Sequence, residues 1–272
     1  FWIMVIGIDA SRIRSGGAVA HIKGIIENFK YHYHSITQVH IWSYQRLLDD
    51  LPSSSWLVKH NSFLLEKFLL LQIMWQAFLL ERELKRNHCD ILYTVDACTL
   101  CFFNPMVVLS QDLLSYEPNM MSKYGFSLNR LRLIIILLLQ NAAFNRSTGV
   151  FFLSKYASNL IQKSTGNIKN LKIIPHGIDQ CFIDNGLSSK SRNHLFNPSK
   201  LIYVSNAAPY KNQLQVIDAV FCLIKEGYDL SLDLIGGGEG KYQNALSSKI
   251  TKVDPGRNWL KQYAFVGRQE LC

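Results

Sequence analysis

Short apolar runs separated by helix-length stretches recur along this chain, and that alternation restricts its fold more than any other feature. Residues 2–8, 39–42, 90–95, 106–110, 149–153 and 171–174 read as strands, with helices expected over 18–29, 62–86 and 127–145 and a further one capped by Ser154. The strand-like runs are apolar at nearly every position instead of at alternate ones, as in strands buried on both faces. The expected class is therefore α/β, a parallel sheet covered by helices.

The pattern lapses between residues 177 and 199, a polar tract containing glycine and flanked by prolines. It restarts with strands at 201–205, 230–235 and 263–266 and helices at 212–226 and 239–249, the first of these closed by Gly227. Three segments result: a Rossmann-like doubly wound domain over 1–178, a linker over 179–200, and a second Rossmann-like unit over 201–272 that holds only three strands. At 272 residues with 48% hydrophobic content, the chain is long enough for two such cores.

Lys and Arg number 29 against 20 Asp and Glu, a net charge of +9 that favours anionic partners: nucleotides, phospholipid surfaces or nucleic acid. No nucleic-acid partner is expected, because Arg12, Arg14, Arg82, Lys85, Arg86, Arg130, Arg132 and Arg146 are scattered and no recognition motif surrounds them. Cys98 and Cys101 form the one Cys-x-x-Cys pair. Without a second pair or a histidine spacing no metal site is expected, and small buried thiols in a reducing cytosol are favoured over a redox couple. The apolar opening FWIMVIGID lacks a basic leader and a cleavage site, so it reads as a first strand and not as a secretion signal. A membrane span is not expected either: Glu66, Lys67, Gln72 and Gln76 interrupt the apolar stretch at 63–80, and LIIILLL at 133–139 is too short.

Two glycine turns and one lysine sit where such sheets bind anions, at strand ends that open into helices. Gly16 and Gly17 follow the first strand; either they let the backbone approach a ligand phosphate, or the turn merely requires glycine torsions. The run IGGGEGK at 235–241 fits neither familiar phosphate loop. A dinucleotide fingerprint from Gly236 needs glycine where Lys241 stands, and a Walker loop needs glycine at Ile235 and Ser or Thr at Tyr242. Hydride transfer and ATP hydrolysis both lose support, leaving a loop able to offer amides to a nucleotide. Lys211, six residues past a strand and just before a helix, is placed to meet a diphosphate together with helix amides, with an ordinary solvated lysine as the competing reading.

In series these segments resemble a known family. IIPHGID at 173–179, YVSNAAPYKNQLQVIDA at 203–219, LDLIGGGEGKY at 232–242 and FVGRQEL at 265–271 stand in the order and approximate spacing of family 4 glycosyltransferases, which have the GT-B fold. RSGGAVAHI at 14–22 is similar to their glycine loop, and FFLSKYASNLIQKSTG at 151–166 to the strand and helix before their hinge. The likeness covers nearly the whole chain. It implies two Rossmann-like domains facing across a cleft, the second incomplete here. It also implies retaining transfer of a sugar from a nucleotide-diphosphate donor to an acceptor hydroxyl, in polysaccharide, lipopolysaccharide or glycolipid synthesis. By resemblance Lys211 is the chief cation on the diphosphate, and Gln111 stands near the sugar. The donor is held by Gly16, Gly17, Asn206, Lys211, Gly236, Gly237, Gly238, Gly267 and Arg268. No cofactor and no obligatory metal are implied, because fixed cations and helix amides can stabilise the charge that grows on the leaving diphosphate. The partners implied are the nucleotide sugar and a saccharide or lipid-linked acceptor, in the cytoplasm at the inner face of the plasma membrane. Peripheral membrane contact through the arginine-flanked helix at 129–146 competes with the simpler reading of a core helix.

Three departures qualify the likeness. Asn206 stands where the family has an arginine five residues before the lysine, so a second cation is sought in Arg268 or Arg12. Gln111 and Asp112 stand in place of the family's histidine; Gln111 can hydrogen-bond a sugar hydroxyl but cannot shuttle protons, and Asp112 is either a participant or a structural cap. The family's two glutamates, eight positions apart, would follow Leu271, so the sequence reads as a C-terminally truncated fragment expected to be inactive by itself. The alternative function is a non-catalytic nucleotide-binding or scaffold protein of the same fold.

Overall fold

The computed structural model describes residues 4–14, 16–30, 35–178, 180, 182–184 and 199–271; most of the expected linker lies outside the described residues. The chain divides into two compact units, Phe1–Gly177 and Ile178–Cys272.

The strands of the first unit are β1 (Met4–Asp9), β2 (Ile36–Trp42), β3 (Leu57–His60), β4 (Ile91–Thr94), β5 (Met106–Ser110), β6 (Gly149–Phe152) and β7 (Leu171–Ile173). All are parallel, in the spatial order β3-β2-β1-β4-β5-β6-β7. The order runs one way from β1 to β3 and the other way from β4 onward, so right-handed crossovers put helices on both faces. Its helices are α1 (Gly17–Glu27), α2 (Gln45–Asp49), α3 (Leu69–Phe78), α4 (Leu80–Arg86), the single turn α5 (Met120–Lys123), α6 (Leu128–Arg146) and α7 (Lys155–Thr165). On one face Ile8, Ile41 and Leu109 pack with Ile22 of α1 and Leu47 of α2. On the other, Trp42, Leu92, Val108 and Phe152 pack with Trp75 of α3, Leu84 of α4, Phe144 of α6 and Ile161 of α7. A Cβ on Gly7 would lie 2.2 Å from Leu84 Cδ2, so glycine in β1 lets α4 lie directly on the sheet.

Sequence and structure part at residues 62–86. Instead of one helix, the chain makes a 3-10 turn at Phe63–Glu66, leaves helical torsions at Lys67 and Phe68, and then forms α3 and α4, which meet at Leu79. Glu66 is the cause we identify: its carboxylate accepts the Gln45 amide at 2.7 Å and Asn61 Nδ2 at 3.1 Å, anchoring the turn to the start of α2. Strand β3 escaped prediction because it is a four-residue edge, LVKH, with no apolar run. No helix among the described residues is long and apolar enough to cross a membrane.

The second unit holds β8 (Ser199–Val204), β9 (Leu230–Ile235) and β10 (Leu260–Tyr263), parallel in the order β10-β9-β8. The helices are α8 (Gln213–Lys225), α9 (Lys241–Val253) and α10 (Arg268–Leu271). Ile217, Val220, Leu246 and Ile250 from α8 and α9 close over Leu232, Leu234 and Leu260. Strand β10 begins earlier than the predicted 263–266 because Asp254 organises the chain before it: its carboxylate accepts the amides of Asn258, Trp259 and Leu260 at 3.0, 2.9 and 2.8 Å. Burial alone would raise this carboxyl, but the three amides outweigh it and hold it below the ordinary 3.8. Asp254→Ala is expected to cost about 3 kcal/mol near neutral pH, by leaving those amides unpaired. A depressed carboxyl stabilises the fold above its unfolded pKa and loses that contribution as pH falls through the folded one. The gap between wild-type and variant urea midpoints should therefore narrow below about pH 3.8.

Candidate functional site

Parallel strands carry the predicted residues of the second unit to one edge of its sheet. The loop after β8 holds Asn206 and Lys211, the loop after β9 holds Gly236, Gly237 and Gly238, and Gly267 leads from β10 into Arg268. The first two loops are zipped together, Ser205 N donating to Ile235 O at 2.9 Å and Ala207 N to Gly237 O at 3.1 Å. Gly236 has a φ of +111°, and a Cβ there would lie 2.5 Å from Ser205 O; one on Gly238 would lie 3.0 Å from Ala207 O. These two glycines serve the seam between the loops. Gly237 differs, since a Cβ there meets nothing within 4 Å.

Lys211 ends a 3-10 turn, Pro209–Lys211, held by its amide on Ala208 O at 2.9 Å and by Tyr203 Oη donating to its carbonyl at 2.6 Å. Asn212, at a φ of 56°, then redirects the chain into α8. The backbone is fixed and the ammonium is not. Its Nζ lies 5.2 Å from the Tyr210 ring centroid and has no hydrogen bond or ion pair among the described residues. The carbonyl of Asn206 accepts Nε2 of the buried Gln213 at 2.8 Å, and the Asn206 side-chain amide has no partner among the described residues. A cation and an amide, both without partners among the described residues, thus stand on the loop that opens α8, at the positive end of its dipole. Of Arg268 only the backbone is described.

In the first unit, strand order reverses between β1 and β4. Gly16, at a φ of +73°, precedes α1 and Gly17 opens it, with nothing within 4 Å of a Cβ on either. The loop before them is tethered by Arg14, which donates to Ser11 O at 2.9 Å and Leu65 O at 2.6 Å. Arg12 does not supply the second cation sought in the sequence. Its guanidinium pairs with Asp96 at 3.1 Å and donates to Gln76 Oε1 at 3.1 Å, so its charge is neutralised inside the unit. Gln111 follows β5, and its Nε2 is buried with no hydrogen-bond partner among the described residues. Asp112 caps the next turn, its Oδ1 accepting the Leu114 amide at 2.9 Å.

Two clusters escaped sequence reasoning. Asp9, fully buried at the end of β1, accepts Ser11 Oγ at 2.6 Å and Gln76 Nε2 at 2.6 Å. Burial pushes its carboxyl up and the hydrogen bonds oppose that shift, in keeping with a framework role beneath the Arg12 loop. His21 of α1 lies 2.8 Å from Tyr93 Oη through Nε2, and its ring centroid is 4.8 Å from that of His176. Burial, helped by His176, lowers His21 to about 4, so it is neutral at physiological pH. The available signal was the spacing from Gly17 to His21, one helical turn along α1. Cys98 and Cys101 are free buried thiols pushed up to about 12 by burial, which suits packing and not redox exchange. Among the described residues no three His, Cys, Asp or Glu side chains are grouped to hold a metal ion.

No protein-family model and no curated protein matches this sequence. Solved structures do match the fold. Anabaena HepE, in complex with UDP and glucose, gives a TM-score of 0.61 at 17% identity, over 97% of this chain and 70% of its own. Sucrose-phosphate synthase of Thermosynechococcus elongatus gives 0.66 at 11% identity, over 98% and 72%. The fold is GT-B. UDP-GlcNAc 2-epimerase of Methanocaldococcus jannaschii also matches, with a TM-score of 0.51 at 12% identity over 98% and 74%. Membership of the GT-B fold therefore does not by itself separate transfer from epimerisation, and the distinction rests on the site.

Proposed function

We propose that this chain is a glycosyltransferase that moves a sugar from a nucleotide-diphosphate donor to an acceptor hydroxyl. The observation that carries the proposal is the contrast among the cations. Arg12 and Arg14 are bound to internal partners, whereas the Lys211 ammonium has none among the described residues and stands where α8 begins. As the bond from the sugar to the diphosphate breaks, negative charge grows on the leaving oxygen, and a fixed cation there stabilises the transition state more than the ground state. Gln111 is assigned to a sugar hydroxyl, and the backbone at Gly16 and Gly17 to the phosphates. Asn206, Gly236, Gly237, Gly238, Gly267 and Arg268 are assigned to the rest of the donor. Family 4, retention at the anomeric carbon, a saccharide or lipid-linked acceptor and a cytoplasmic setting are finer parts of the same proposal, supported by the motif series. HepE, whose complex holds UDP and glucose, supports a nucleotide-sugar donor. No metal is given a step.

Calorimetric titration with UDP, GDP and ADP against their parent nucleosides tests the proposal. One diphosphate is expected to bind at least about tenfold more tightly than its nucleoside, a difference of about 1.4 kcal/mol. Failure of all three overturns it. In the full-length protein, binding without diphosphate release from any donor sugar, whatever the acceptor, supports instead the scaffold reading, which the uncharged Asn206 favours. Interconversion of a donor sugar without an acceptor assigns the fold's epimerase chemistry.

A further inference from the structure

We infer that the outward side of α3 is a two-fold interface on which a second copy of this chain docks, an inference that does not rest on the transferase proposal. Helix α3 is inside out. Its inward side holds the buried Gln72, Trp75 and Gln76, with Gln76 Nε2 donating to Asp9 at 2.6 Å. Its outward side holds Leu69, Leu70, Met74 and Phe78, 45% to 66% exposed, and Phe63 and Phe68 just before it are 72% and 65% exposed. A helix facing water turns its glutamines outward and its leucines and phenylalanines inward, so this reversal calls for an apolar cover. At these exposures the six apolar side chains present roughly 700 Å², close to the roughly 800 Å² that each partner contributes to a stable interface.

Charge selects the occupant. Leu70, Met74 and Phe78 recur every four residues and so form one stripe along the helix. Glu66 stands four residues before that stripe and Arg82 four residues after it. Glu66 is exposed, and its hydrogen bonds from the Gln45 amide and Asn61 Nδ2 both end on Oε1, so Oε2 has none among the described residues. In α4, Glu81 pairs with Lys85 and Glu83 with Arg86, whereas Arg82 is exposed and has no ion pair among the described residues. One spare acid and one spare base therefore bracket the apolar stripe. A two-fold axis at Met74 that runs two copies of α3 antiparallel sets Leu70 on the partner's Phe78 and Glu66 on the partner's Arg82, at both ends at once. A layer of lipid phosphates would instead meet Glu66 with like charge. The exposed Leu131, Ile135 and Leu138 of α6 make a second apolar stripe, but that helix holds no Asp or Glu with which a second copy could pair its arginines.

Sedimentation equilibrium of the full-length protein tests this. The wild type is expected to form a dimer with a Kd of about 1 to 10 μM. Leu70→Gln with Phe78→Gln should weaken it at least about a hundredfold with an unchanged circular dichroism spectrum, because each substitution enters a two-fold interface twice. Leu138→Gln on α6 should leave the dimer as it is. Arg82→Glu is expected to weaken it at least about tenfold by setting two acids against each other at each end. Adding Glu66→Gln, which keeps the Oε1 acceptor of the turn, should restore most of that loss. A wild type that stays monomeric up to about 100 μM overturns the inference. So does a dimer that the folded Leu70→Gln and Phe78→Gln protein retains, or that Leu138→Gln disperses. Absence of the Arg82→Glu effect, or of its rescue, overturns the two-fold register and the inference with it. A monomer that sediments with phospholipid vesicles overturns it as well, since the face then belongs to a membrane.

Discussion

Lys211→Ala is expected to lower kcat/KM for donor consumption by roughly 10²- to 10³-fold, a loss of about 3–4 kcal/mol of transition-state stabilisation. The size follows from the scarcity of other charge on that loop. Asn206 contributes an amide where a second cation would halve the burden, and Arg12 is paired with Asp96. The melting temperature should stay unchanged, because the ammonium has no internal partner among the described residues and the turn is held by the Ala208 and Tyr203 hydrogen bonds. Lys211→Arg keeps the charge but replaces a compact ammonium by a planar fork, so partial activity is expected. Asn206→Arg approaches the same point from the other side and should raise diphosphate affinity several-fold. Initial rates of nucleoside diphosphate release by the full-length protein, measured beside thermal melts, check all three. A folded Lys211→Ala protein within about threefold of wild type would take the lysine off the phosphate, and with it the proposed donor position.

The second large effect concerns the seam beneath that loop. Gly236→Ala is expected to destabilise the second unit by roughly 3 kcal/mol, because positive φ penalises a side chain and the new Cβ must displace backbone. The obstacle is Ser205 O, 2.5 Å from where the Cβ would stand, and it cannot swing aside as a side chain would. At about 4–8 °C per kcal/mol for a unit of this size, the calorimetric transition should fall by at least about 12 °C. Gly237→Ala is the control: with nothing within 4 Å of its Cβ, it should melt like wild type. Equal melting of the two variants would mean that the loops are not packed as described.

Much of the scaffold was legible because its signals are local. Ser127 and Ser154 announce α6 and α7, and their hydroxyls accept the amides of Arg130 at 3.4 Å and Ala157 at 3.1 Å. Buried parallel strands such as β1 and β9 read as apolar runs whatever packs on them. The motif series placed Asn206, Lys211 and the glycines on loops that the second sheet does bring to one edge. Where a long-range partner intervened, legibility failed. Glu66 broke the expected long helix by reaching the Gln45 amide, Asp254 reset the start of β10, and α3 turned its glutamines toward Asp9.

The amino-acid order by itself determined the α/β class, most elements and the loops that carry the candidate residues. Periodicity, capping and turn chemistry act within a few positions of chain. Only the tertiary structure decided which groups are paired internally: that Arg12 is neutralised, that Lys211 has no partner among the described residues, that Gly236 serves a seam while Gly237 faces open space, and that His21 meets His176. A side chain's charge is written in the sequence, but its partner is chosen by segments that approach only after folding, and the partner determines whether that charge is available to a ligand.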